Sequence, residues 1–131
     1  MNINTKAISL IIPSKDSKKK LLELLRSIPN WEAVPNEIII VDSSENKLEV
    51  PKDIKLFVEN FNIRLLVKIE KNLFPGHARN IGINNSSNSL LAFLDTSTHP
   101  NKNWPTHNVV LWYIAPCSAI FTIVTVVSHH E

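Results

Sequence analysis

The sequence predicts an α/β domain, a three-layer α/β/α sandwich around a mostly parallel sheet. Two runs, Ile8-Ser9-Leu10-Ile11-Ile12-Pro13 and Glu37-Ile38-Ile39-Ile40-Val41-Asp42, are almost continuously apolar, as strands are when helices cover both faces of a sheet. An amphipathic helical stretch lies between them, and parallel neighbours need such a crossover. The same alternation of strand and helix patterns then continues to about residue 95.

The elements follow in order. Ile8 to Pro13 is the first strand, and the proline ends it. Ser17 to Ile28 is a helix: Leu21, Leu22, Leu24, Leu25 and Ile28 recur at helical spacing with lysines opposite, Asp16 or Ser17 supplies the N-cap, and Pro29 prevents continuation. A loop over Pro29 to Pro35 leads to the second strand, Glu37 to Asp42, which ends in a carboxylate followed by Ser43-Ser44. Asp53 to Asn60 is a short helix on Ile54, Phe57 and Val58, and Ile63 to Ile69 is a strand with Arg64 and Lys68 interspersed. Asn72-Leu73-Phe74-Pro75-Gly76 is a turn, His77 to Asn84 a short helix, and Ser89 to Leu94 a last strand ending at Asp95. The order is βαβαβαβ, without internal repeats or low-complexity tracts.

Composition narrows the function classes. The 131 residues suit one domain. A formal charge of +2, from 14 Lys+Arg and 12 Asp+Glu, is too near balance for a nucleic-acid binder. The single cysteine, Cys117, makes no internal disulfide and no multi-cysteine zinc site, and fits a reducing, cytoplasmic setting as an inert buried thiol. The apolar run after Lys6 is too short for a secretory signal and lacks a cleavage site, so the N-terminus reads as mature. Only two glycines occur, Gly76 and Gly82, and neither follows the first strand. A Rossmann fingerprint or a P-loop needs glycines there to let the backbone approach phosphate, so both are excluded.

A composition break separates residues 1–104 from a hydrophobic segment, 105–131. From Trp104 to His130 there is no Lys, Arg, Asp or Glu. The run 109–127 is long enough for a transmembrane helix, with Lys102 and the charged domain then on the cytoplasmic side. Against a span stand Pro116 and the hydroxyls of Ser118, Thr122 and Thr125, and the β-branched density of Ile120 to Val127 also suits two buried strands, which leaves the membrane helix slightly ahead. A frameshifted tail is a third reading.

Ligands of open parallel sheets bind beyond the carboxyl ends of the strands, near the reversal of strand order. Asp42 and Asp95 end strands there. Their carboxylates suit ribose hydroxyls, a base N–H, or a divalent cation bridging a diphosphate. Arg79, near the start of a helix after Pro75-Gly76, adds a cation where helix N–H groups already favour anions. Together they describe a nucleotide pocket without a glycine loop, although aspartate after a strand reads equally as a turn or cap residue. Lys18-Lys19-Lys20 reads as the wet face of a helix, or as a contact to phosphate or lipid headgroups. Trp31, Trp104 and Trp112 suit core packing, or stacking on a sugar.

Ile8-Ser9-Leu10-Ile11-Ile12-Pro13-Ser14, Glu37-Ile38-Ile39-Ile40-Val41-Asp42-Ser43-Ser44, Gly76-His77-Ala78-Arg79-Asn80-Ile81-Gly82 and Leu91-Ala92-Phe93-Leu94-Asp95 resemble successive landmarks of family-2 glycosyltransferases with the GT-A fold, over roughly residues 7 to 104. The resemblance implies a nucleotide-diphospho-sugar partner, a UDP-sugar first of all, and inverting transfer to an acceptor hydroxyl. It implies that Pro13 and Ser14 line the base pocket, that Asp42 contacts uracil or ribose, and that Arg79 approaches the nucleotide. Asp95 matches the first aspartate of the family's Asp-x-Asp motif, which contacts ribose and helps place Mn2+ or Mg2+. Ser97 stands where that motif has its metal-binding carboxylate, and a hydroxyl is a poor replacement toward a hard cation. The family's catalytic base comes from an acceptor-binding half downstream. The sequence reads as truncated before that half, so no catalytic residue is assigned. His77 is the histidine placed to line the pocket, whereas His99, His107, His129 and His130 read as solvated. A non-catalytic fragment and a membrane-attached interaction module are the alternatives.

Overall fold

The β-branched runs form the centre of one parallel sheet in the computed structural model, which describes residues 5–98 and 100. Its strands are β1 (Thr5–Ser14), β2 (Val34–Asp42), β3 (Arg64–Ile69) and β4 (Leu91–Phe93), in spatial order β3-β2-β1-β4. All three neighbouring pairs are parallel, with Ile11 opposite Ile39 and Phe93, and Ile39 opposite Leu66. The helices are α1 (Lys18–Ser27), continued by a 3-10 turn over Ile28–Asn30, α2 (Lys52–Asn60) and α3 (Pro75–Asn85).

The α/β class and the element order match the reading of the sequence, and the differences lie at element ends. β1 and β2 begin earlier than their apolar runs because Thr5 pairs with Val34 and Lys6 with Pro35 ahead of a register irregularity. α1 tightens into the 3-10 turn at Ile28, where Pro29 removes the donor that another α-turn would need. α3 starts at Pro75 rather than His77, since a proline's fixed φ and missing N–H suit the first helical position. β4 is short and has only β1 beside it, although bonds from Ser9 N to Leu90 O and from Leu94 N to Ile11 O prolong the contact.

Alternation of side chains across the sheet builds two cores. Ile8, Leu10, Ile12, Ile38 and Ile40 pack with Leu21, Leu24 and Leu25 of α1 and Ile54 and Val58 of α2. Ile11, Ile39, Val41, Leu91 and Phe93 face α3 through Ala78. Each fully buried Ile or Leu contributes about 1.5–3 kcal/mol. Trp31 belongs to the first core, which settles its two readings in favour of packing. Chain direction explains the layers: β1, β2 and β3 are laid down one way across the sheet, and β4 returns to the far side of β1. With crossovers of one hand, that reversal puts α3 on the face opposite α1 and α2. β3 lies at an edge and keeps Arg64 and Ile69 exposed, which accounts for its interspersed charges.

Two glycines have opposite surroundings. A Cβ on Gly82 would lie 2.4 Å from Ile11 Cγ2, whereas one on Gly76 meets nothing within 4 Å. α3 can therefore sit close on β1 only because Gly82 and, one turn earlier, Ala78 are small. Gly82→Ala is expected to destabilise the fold by about 1–3 kcal/mol in urea denaturation. Gly76→Ala is expected to be neutral or to stabilise by up to about 1 kcal/mol. Equal effects of the two substitutions would contradict the close approach.

A polar cluster closes the opposite, amino-terminal edge of the sheet. Glu37, 1% exposed, accepts hydrogen bonds from the Ser9 hydroxyl at 2.6 Å and from the Ser87 amide and hydroxyl at 2.8 and 2.6 Å, and it pairs with Arg64. Asn88 Nδ2 donates to Ser9 Oγ and to Asn36 Oδ1, at 3.1 and 2.7 Å. The cluster pins the connection from α3 to β4, and through it the position of α3. Among the described residues no helix is long and apolar enough to cross a membrane. The segment 105–131, with its proposed span 109–127, lies outside them.

Candidate functional site

Strand order reverses between β1 and β4, and a cleft of about 420 Å³ opens beyond their carboxyl ends. That is where open α/β sheets bind ligands. Pro13, Ser14 and Lys15 at the end of β1, Ser17 and Lys20 at the start of α1, and Ser43 after β2 line one side. Leu73, Phe74, Pro75, Ala78 and Arg79 line another, and Asp95, Thr96 and Ser97 after β4 complete it.

Local structure places each group. The loop from β1 to α1 turns sharply at Asp16, whose φ of 49° lies in the left-handed region, a conformation that a short polar side chain tolerates. Ser17 occupies the N-cap position of α1 but makes no side-chain cap bond. Its hydroxyl instead lies 3.4 Å from Ser14 Oγ and receives a 3.1 Å hydrogen bond from Thr96 Oγ1, joining the ends of β1 and β4. Asp16 does not cap either, since its carboxylate accepts from Glu45 N at 3.2 Å. Phe74, 77% exposed, is the N-cap of α3 and makes no cap bond. Neither α1 nor α3 has an acidic residue in its first turn, whereas α2 has Asp53. The two helix starts beside the cleft thus keep their anion-favouring N–H groups unneutralised.

Arg79 follows Ala78 on α3 and reaches the rim, where Nη2 lies 3.2 Å from Asp95 Oδ1. Their side chains are 37% and 63% exposed, and an exposed pair of this kind contributes about 1 kcal/mol or less. It opens easily to a ligand. Asp95 begins the turn closed by Thr98 N donating to Asp95 O at 3.0 Å, so Thr96 and Ser97 sit at its tip.

Pro13, Ser14, Arg79 and Asp95 therefore come together in one cleft, and Asp42 does not join them. Asp42 continues the face of β2 that carries Ile38 and Ile40, toward α1 and α2, while Asp95 continues the opposite face of Leu91 and Phe93. Asp42 lines an adjoining depression of about 340 Å³ with Asp16, Lys18, Ser44, Asn46, Lys47 and Leu48. It is 1% exposed. Oδ1 accepts a 2.6 Å hydrogen bond from Ser44 Oγ, which in turn accepts from Asp16 N at 2.8 Å. Oδ2 is buried with no hydrogen-bond partner among the described residues. Such an acceptor costs about 1–3 kcal/mol until something donates to it.

His77 is exposed and is not among the residues lining the cleft, because helical phase turns it outward while Ala78 and Arg79 face the cleft. His99, His107, His129 and His130 lie outside the described residues, as do Trp104, Trp112 and Cys117. Lys15, Leu73, Phe74 and Thr96 line the cleft without having been singled out. A loop before an amphipathic helix and an aromatic next to Pro-Gly were the signals available for Lys15 and Phe74. Lys20, read as wet surface or as a phosphate contact, also lines the cleft.

The donor set fits Mn2+ or Mg2+ poorly. Hard cations need several oxygen ligands with compensating negative charge. Among the described residues the cleft offers one carboxylate, already paired with a guanidinium, and a serine two positions on. No group of three metal-ligating side chains occurs among the described residues.

The fold recurs in solved structures. The S. aureus TarS 1-349 structure in complex with UDP is similar at 25% identity and a TM-score of 0.58, over 75% of this chain and 29% of that one. TarS 1-349 in complex with UDP-GlcNAc is similar at 27% identity and a TM-score of 0.56, over 74% and 28%. The mannosyltransferase PcManGT from Pyrobaculum calidifontis, in complex with GDP-Man and Mn2+, shares the fold at 18% identity and a TM-score of 0.52, over 76% and 28%. The chain thus spans less than a third of the length of these structures. No curated protein matches it. The sequence profile described as glycosyl transferase family 2 matches residues 9–109, most of the chain, so the chain belongs to glycosyl transferase family 2.

Proposed function

We propose that this chain binds the nucleoside diphosphate of a nucleotide-sugar donor, with a UDP-sugar as the first candidate, for inverting transfer of the sugar to an acceptor hydroxyl. The observation that carries the reading is the cleft at the reversal point, where Ser14, Arg79 and Asp95 meet beside the depression holding Asp42. Asp42 Oδ2, buried and unpartnered among the described residues, is the acceptor for a base N–H. Asp95 serves a ribose hydroxyl, Arg79 the phosphates, and Leu73 and Phe74 give an apolar wall for a ring.

In the transfer, the acceptor oxygen forms a bond to the anomeric carbon as the bond from that carbon to the diphosphate oxygen breaks. The nucleoside diphosphate leaves with the electron pair, and the acceptor proton passes to a base that we assign to no described residue. Calorimetric titration of the full chain with UDP, UDP-GlcNAc and GDP tests the binding step. Heat of binding with UDP and UDP-GlcNAc is expected. Folded protein that binds none of the three contradicts the proposal. Attachment through 109–127 to a membrane from its cytoplasmic side is a further proposal, and carbonate extraction decides it, since recovery wholly in the soluble fraction excludes a spanning helix.

A further inference from the structure

We propose that this chain holds the donor diphosphate with its own cations, Lys15, Lys20 and Arg79, and needs no divalent metal to do so. The inference rests on the nucleotide reading above and concerns how the same cleft neutralises charge. A diphosphate presents several negative oxygens, and a binding site must compensate them with a metal or with fixed cations.

The lining residues decide between those means. Among the described residues, Lys15, Lys20 and Arg79 border the cleft, against Asp95 as its one acidic residue. The three cations come from the end of β1, the first turn of α1 and the first turns of α3, so they approach from two sides. Asp95 is held by Arg79 at 3.2 Å, and Ser97 adds a hydroxyl without charge. A divalent ion placed there would face three like charges and one shared carboxylate. A diphosphate placed there gains all three cations, and Arg79 exchanges an exposed ion pair for phosphate at little cost. Ser14, Ser17 and Thr96 already form a chain of hydroxyls between the two sides, which leaves one hydroxyl proton over for a phosphate oxygen.

The test is calorimetry on the full chain with UDP and with uridine, each in EDTA, in Mn2+ and in Mg2+. UDP affinity is expected to agree within about twofold across the three conditions. The double variant Lys15→Gln/Lys20→Gln, checked for folding by circular dichroism, is expected to lose UDP affinity by about tenfold or more, the scale of one or two charge-assisted bonds, with uridine affinity unchanged. UDP binding that vanishes in EDTA and returns with Mn2+ overturns the inference and leaves the nucleotide reading standing. Equal loss of UDP and uridine affinity in the double variant also overturns it. Binding of neither ligand under any condition overturns the nucleotide reading and the inference together.

Discussion

Replacing Glu37 by alanine is expected to destabilise the fold by about 3–5 kcal/mol, measured by urea denaturation. That is a large share of the roughly 5–15 kcal/mol typical of a domain. The carboxylate joins Ser9, Ser87 and Arg64 at a site 1% exposed. Without it, the buried Ser9 hydroxyl is left in a dry place with nothing to receive its proton, and the Ser87 donors, on an exposed residue, lose a charged acceptor. Arg64, half exposed, finds water instead. Burial pushes the Glu37 carboxyl up, but the hydrogen bonds from Ser87, Ser9 and Arg64 outweigh burial and hold it below the usual glutamate range. The folded state therefore releases this proton more readily than the unfolded chain. The stabilisation is complete above the ordinary glutamate pKa, roughly 4.3, and is lost as pH falls below it through the depressed folded value. Asp53, kept low by its hydrogen bond from Arg26, titrates in the same direction at the surface. The decisive comparison is thus between wild type and Glu37→Gln: the wild type should lose stability more steeply below about pH 4.5. Parallel curves would contradict the role given to Glu37.

Asp42→Asn is expected to cost about tenfold to a hundredfold in UDP affinity while leaving the melting temperature unchanged or raising it. The amide oxygen can keep the 2.6 Å bond from Ser44 Oγ, so the latch between the β1–α1 and β2–α2 connections survives. The amide nitrogen replaces Oδ2, the buried acceptor without a partner among the described residues, and a donor now meets the base N–H. Removing a buried charge also removes its desolvation penalty. Calorimetry and thermal melts on the same sample separate the two effects. Unchanged affinity, or loss of affinity that merely tracks loss of stability, would contradict the assignment.

Much of the fold was legible because apolar patterns encode which faces are covered. Ile38-Ile39-Ile40-Val41 has no polar side to offer water, so a strand between two helical layers is its natural place. Leu21, Leu24 and Leu25 mark the buried stripe of α1 in the same way. The amino-terminal cluster was not legible. Glu37 looks like a solvent boundary at the start of a strand, and its partners Ser9 and Ser87 lie 28 and 50 residues away. Spacing also showed that Asp42 and Asp95 sit at one edge, but not that they face opposite ways. That depends on which strand face each aspartate continues, and so on the two cores. Lys20 illustrates a further limit. Helical phase puts it on the wet side of α1, yet the loops after β1 and β4 rise around that side and make it part of the cleft.

In the proposed function, the carboxyl edge of the sheet takes a nucleoside diphosphate. Titration of the 15N-labelled full chain with UDP, followed by two-dimensional NMR, tests where it binds. The largest amide shifts should fall in 13–20, 42–48, 73–79 and 94–97, with Ser9, Glu37, Ser87 and Asn88 at the other edge unmoved. Shifts centred on that other edge, or a spectrum unchanged at millimolar UDP, would contradict the account.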